Sequence, residues 1–157
     1  MGSGGERDDE VLTRPCRIPT ESESLGIGIS SRPSLSIAPM MAWTDHHYRQ
    51  MMRMLTRCTL LYTEMYPVDL LLDAAAQSPT RLENLLKFDP RQHPLAIQLG
   101  GNDPQKMGEA AKLCAEMGYD EVQINVGCPS DAVSVHGGFG ACLMRDPSHV
   151  QKLAAAV

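Results

Sequence analysis

Glycine, cysteine and proline meet in Gly127-Cys128-Pro129-Ser130, and fourteen positions after Cys128 a second cysteine, Cys142, closes "GGFGAC". A thiol between glycine and proline sits on a short, stiff loop with its side chain displayed. An unperturbed thiol titrates near about 8.5, so at neutral pH it can give up a proton as readily as attack. A cysteine nucleophile needs an activating base, and the motif itself contains no histidine; His136 is close in sequence, on a glycine-flanked loop. Structural, metal-binding, disulfide and reagent roles are all formally open to Cys128. The five cysteines (Cys16, Cys58, Cys114, Cys128, Cys142) are odd in number and irregularly spaced, with no C-x-x-C pair and no zinc-type Cys/His spacing. That argues against a disulfide framework and against a metal site. Cys58 and Cys114 fall in apolar stretches and read as inert core, and Cys142 reads as packed.

Composition bounds the class. The 157 residues are 43% hydrophobic, enough for one ordinary domain and too few for a complete large barrel. Ten methionines supplement an aromatic content of 4%. Residues 1–33 hold six acids and four arginines, and their Gly/Ser-rich polar character reads as a disordered tail. The formal charge of −5 shows no basic patch. No apolar run is long enough for a membrane span, and no export signal is visible. A reducing compartment is expected, the cytoplasm first and an organelle as the alternative.

The displayed thiol must be positioned by something. "SLSIAPM" over 34–40, "TLLYTEM" over 59–65, "HPLAIQLG" over 93–100 and "DEVQINVG" over 120–127 read as buried strands. Thr44 or Asp45 caps a helix over 45–57 whose apolar residues are Tyr48, Met51, Met52 and Leu55. Residues 69–87 read as helical or irregular. Asp103-Pro104 and Asp146-Pro147 open two further helices. Strands alternating with helices predict parallel βα units in an α/β fold. A chain that ends inside an apolar helix reads as the N-terminal half of a (β/α)8 TIM barrel, about four βα units, with residues 34–157 forming a truncated catalytic domain.

Such folds place their sites at the C-terminal ends of the strands. There stand Pro39-Met40-Met41, Glu64-Met65, Gln98 to Gly101, and Asn125 to Cys128. Gly100, Gly101 and Gly127 serve either as turn-makers or to admit a flat or phosphorylated ligand. Gln98 must bridge core backbone or bind a ligand edge. Glu64 pairs with a group on another loop or binds substrate. His46, His47 and His93 read as surface or capping residues.

"IAPMMAWTDHHYR", "LLYTEM", "PLAIQLGGNDP", "GYDEVQINVGCPS" and "GFGACLM", in this order, closely resemble the tRNA-dihydrouridine synthases, and best the A-type subfamily acting on the D-loop. The resemblance covers about residues 34–150. It implies an FMN-dependent barrel in which NADPH reduces the flavin, hydride passes to C6 of a flipped-out uracil, and a cysteine protonates C5. By motif, Cys128 is that acid. Pro39, Met40 and Met41 would line the flavin, Gln98 would hydrogen-bond its ring, and Asn125 would contact the tRNA substrate. The full-length protein is expected to be monomeric, with no metal and no membrane partner.

Two departures qualify the resemblance. "SDAVSVHGGFGAC" has Ala132 where the family usually has arginine, and one extra residue before the second cysteine. Strands five to eight and the tRNA-gripping domain are absent, so this piece alone is expected to be inactive and aggregation-prone. The competing readings are an FMN barrel acting on a small pyrimidine and a non-catalytic truncated fragment.

Overall fold

Each expected helix start is realised by a side chain that satisfies free main-chain N–H groups. A computed structural model describes residues 35–157, so Cys16 and the tail expected over 1–33 lie outside the described residues. The elements are β1 (Ser36–Ile37), α1 (His46–Leu55), β2 (Leu60–Pro67), α2 (Val68–Gln77), α3 (Pro79–Leu86), β3 (Leu95–Gly100), α4 (Pro104–Glu116), β4 (Glu121–Ile124) and α5 (Pro147–Ala156). Asp45, Ser78, Asp103 and Asp146 accept from first-turn amides of α1, α3, α4 and α5, and proline follows in the first turn of the last three. No helix among the described residues is long and apolar enough to cross a membrane.

The strands form one parallel sheet in the order β1-β2-β3-β4. Sequential order combined with right-handed crossovers puts every helix on the same face. A doubly wound sheet would reverse its order and cover both faces. The chain is therefore α/β with the build of half a (β/α)8 barrel, and among the described residues one face of its sheet carries no helix.

Alternation along the strands divides the side chains between these faces. Leu61, Leu95, Ile97 and Leu99 are fully buried in the main core with Leu71, Ala74, Met107, Ala110, Cys114 and Leu153. Each such leucine or isoleucine contributes about 1.5–3 kcal/mol by leaving water. The other face holds a small cluster of Leu60, Tyr62 and Ala96. Beside it the Tyr62 hydroxyl donates to Glu121 Oε1 at 3.0 Å.

Two expectations need correction. Helix α1 buries its stripe only in part: Tyr48 and Met52 are half-buried, Met52 against the core, whereas Met51, Met54 and Leu55 are exposed and the helix's buried residue is Arg49. Its Nε donates to Gln92 Oε1 at 3.0 Å and its Nη1 to the Thr44 carbonyl at 2.7 Å. Arg53 Nη2 donates to the carbonyls of Thr59, Gln92 and Pro94. The helix is thus docked largely by guanidinium hydrogen bonds to main-chain oxygens, with Met52 against the core, while Met51, Met54 and Leu55 are exposed, as is Leu35. The second correction concerns Cys58, which is exposed in the turn before β2 rather than in the core.

Candidate active site

Strand β4 reads Glu-Val-Gln-Ile and runs into Asn125, placing Glu121, Gln123 and Asn125 on the helix-free face. Asn125 is buried, and its Oδ1 accepts from the main-chain N–H groups of Gly127 at 3.1 Å and Cys128 at 3.0 Å. This turn fixes the backbone of Cys128. From the other side, the Cys128 carbonyl accepts from Ser134 Oγ at 2.8 Å and from the Ala141 N–H at 2.9 Å. The thiol-bearing residue is therefore held at both its N–H and its C=O.

Gly140 explains why the second motif is needed. Its φ is +74°, and a Cβ there would lie 2.6 Å from the Cys128 carbonyl oxygen. Only glycine fits both the backbone conformation and the approach. Phe139, its neighbour, fills the space over Gly100: a Cβ on Gly100 would stand 2.5 Å from the ring. Gly100 and Gly101 are thus occupied by packing against Phe139, Met65 and Val68, and they do not open onto a ligand. Gly127, by contrast, faces open space. Cys142 is half-buried with its Sγ donating to the Phe139 carbonyl at 3.2 Å.

A cavity of about 690 Å³ opens on this face, lined by Pro39, Met41, Met65, Gln98, Gln123, Ile124, Asn125, Val126, Gly127, Cys128, Ser130, Ala132 and Val133. Thioether and aliphatic walls with three amides among them suit a flat, partly polar ring system. Gln98 Nε2 donates to Gln123 Oε1 at 2.6 Å, and Asn125 Nδ2 donates to Gln98 Oε1 at 3.3 Å. Gln98 therefore bonds side-chain amides rather than core backbone. Residues Ala132–His136 form a π-helical turn with the wider i→i+5 ring. His136 Nδ1 lies 3.1 Å from the Asp131 carbonyl, and among the described residues no histidine hydrogen-bonds the Cys128 thiol.

The loop after β1 forms one edge of the cavity. Ala42 has φ +61°, in the left-handed region, and its N–H donates to Glu64 Oε1 at 2.6 Å. Glu64 sits inside β2, where the register shifts between Tyr62 and Met65, and it braces the neighbouring loop through a main-chain N–H. The structure thus brings Pro39, Met41, Gln98, Asn125 and Cys128 to one cavity. Met40 is partly exposed outside the lining, its carbonyl accepting from Trp43 and Thr44. Gln123, Ser134 and Gly140 were missed by the sequence reading, which placed Met65 at a strand end without a role. The polar alternation Glu121, Gln123, Asn125 was the available signal for the first.

Among the described residues, Cys58, Cys114, Cys128 and Cys142 are free thiols, and no group of His, Cys, Asp or Glu is arranged to hold a metal ion. Burial pushes the Cys114 thiol up to about 12. Residues 36–157 match the sequence profile of the family described as Dihydrouridine synthase (Dus). The chain is 48% identical over 128 residues to a tRNA-dihydrouridine(20/20a) synthase of Synechocystis sp., covering 82% of this chain and 36% of that protein. The proteins of the same name from Vibrio vulnificus and Pseudomonas aeruginosa are 47% and 48% identical, over 78% of this chain and 35% of theirs. The chain thus spans about a third of the length of the curated relatives it matches.

Proposed function

Because the chain belongs to the dihydrouridine synthase family, we propose that it carries the proton-donating part of an FMN-dependent enzyme that reduces uridine 20 or 20a in the D-loop of tRNA. The observation that carries this reading is the Cys128 loop, clamped at its N–H by Asn125 and at its carbonyl by Ser134 and Ala141, on the wall of a cavity suited to a flat ring. When bound, FMN reduced by NADPH supplies the hydride that adds to uracil C6.

The chain's own residues have three tasks. Cys128 gives its Sγ proton to C5, so hydride and proton together saturate the C5–C6 bond and a thiolate remains to be reprotonated from water. Asn125, which fixes the Cys128 backbone, contacts the nucleotide beside it. Gln98 hydrogen-bonds the flavin ring, with Pro39 and Met41 as its wall and Met40 in the turn that shapes that wall. A thiol with no activating histidine bonded to it suits a proton donor better than a nucleophile. The uracil must leave its stack to reach this cavity, as in other enzymes that act on a base.

In this reading residues 34–157 are part of a flavin-binding barrel domain. The partner is tRNA, the full-length protein is a monomer, and its compartment is the cytoplasm. Among the described residues the sheet holds four strands of the eight a barrel needs, so these residues alone are expected to show no turnover. The test is a family-length enzyme carrying these residues, purified and supplied with NADPH and unmodified tRNA. A bound flavin spectrum and dihydrouridine in the tRNA are expected. Reduction of free uracil but not tRNA would instead favour an oxidoreductase of small pyrimidines. A colourless protein without either activity would favour a non-catalytic fragment.

A further inference from the structure

We propose that Gln123 is a further flavin-binding residue, oriented by a one-way chain of side-chain amides that begins at the Cys128 loop. The inference rests on the flavoenzyme reading above. Main-chain N–H groups can only donate, so the bonds from Gly127 and Cys128 force Asn125 to present its oxygen to them. Its Nδ2 must then point onward, where it meets Gln98 Oε1 at 3.3 Å and Met65 Sδ at 3.1 Å. With its oxygen taken, Gln98 turns Nε2 to Gln123 Oε1 at 2.6 Å. The orientation of all three amides follows from two backbone donors.

Gln123 stands at the end of this chain. Its oxygen is used, and its Nε2 carries two N–H groups that no acceptor among the described residues takes. It is half-buried on the cavity wall, where its free N–H groups are held for water or for a ligand acceptor. Because the chain has fixed polarity, this position turns its two N–H groups to the cavity, and so it favours an acceptor atom.

Height in the barrel decides which ligand supplies that acceptor. Gln98 and Gln123 are direct register partners in β3 and β4, whereas Asn125 and Cys128 lie farther along toward the cavity mouth. A ring that reaches the Gln98 amide is therefore within reach of its neighbour Gln123. The pyrimidine half of a flavin, with carbonyl oxygens and unprotonated ring nitrogens, offers the acceptors. The uracil, met by Asn125 and Cys128, does not descend to this level.

Gln123→Glu separates this role from simple support of Gln98. The carboxylate keeps an oxygen for Gln98 Nε2 at nearly the same size, but it has no N–H to donate. In the family-length holoenzyme, FMN affinity measured by fluorescence titration should fall about tenfold. The visible bands of the bound flavin should move, and thermal unfolding of the flavin-free protein should stay at the wild-type temperature. Wild-type affinity and an unchanged spectrum in Gln123→Glu would overturn the proposal while leaving the flavoenzyme reading intact. A wild-type protein that takes up no FMN would overturn both.

Discussion

Along β3, Leu95, Ile97 and Leu99 alternate with Ala96 and Gln98, so one strand shows two chemistries to its two sides. The first set is wholly buried against α2, α4 and their neighbours. On the other face, Gln98, Gln123 and Asn125 form a hydrogen-bonded row on a cavity wall. Stability and candidate chemistry are thus separated by a single residue step. Removing a group from the helix side leaves a void in a close-packed core. Removing one from the cavity side changes what a ligand meets, with solvent available to fill the space.

This contrast can be broken by experiment in the family-length protein. Ile97→Ala should cost about 2–5 kcal/mol in denaturant unfolding, since the site is surrounded by packed side chains. Gly140→Ala should cost about 1–3 kcal/mol from its left-handed backbone. Because the new Cβ would collide with the Cys128 carbonyl, it should also depress tRNA reduction more than FMN binding. Equal stability and activity to wild type would remove the close approach as a constraint.

Alkaline stability probes the helix side alone. Burial raises the folded Cys114 thiol to about 12, above an unfolded value of about 8.5, so the folded state holds a proton that the unfolded state releases. That stabilisation is fully present below about pH 8.5 and is lost as pH rises toward about 12. The buried Tyr119 hydroxyl, which donates to the Leu86 carbonyl, is raised by burial too and adds loss in the same direction. Cys114→Val should flatten part of this fall, measured by urea unfolding across the range. An unchanged slope would assign the loss to other groups. The smallest effect belongs to the cavity side: Gln98→Leu should alter unfolding by no more than about 1 kcal/mol while weakening flavin binding.

The sequence disclosed the parts of the fold that local rules govern. Apolar runs gave the four strands, and Asp103-Pro104 and Asp146-Pro147 marked α4 and α5 within a residue. Glycine and proline around Cys128 mark a displayed thiol in the sequence, and Cys128 stands on the cavity wall. What stayed hidden depended on distant partners. Arg49 is buried because Gln92, 43 residues away, receives its Nε, and helical periodicity alone favours the methionines instead. Gly100 looks like a ligand-approach glycine until Phe139, from another loop, fills the space above it. The shift in β2 that places Glu64 under Ala42 leaves no local mark either.

Whether Cys128 donates the proton to uracil C5, as proposed above, can be measured directly. The direct measurement pre-reduces the family-length Cys128→Ala enzyme with NADPH, adds unmodified tRNA, and follows dihydrouridine formation in a single turnover. Flavin reduction should match wild type, while dihydrouridine should form at least about 100-fold more slowly, and Cys142→Ala should retain most of the rate. Dihydrouridine formation by Cys128→Ala at close to the wild-type rate would contradict the assignment.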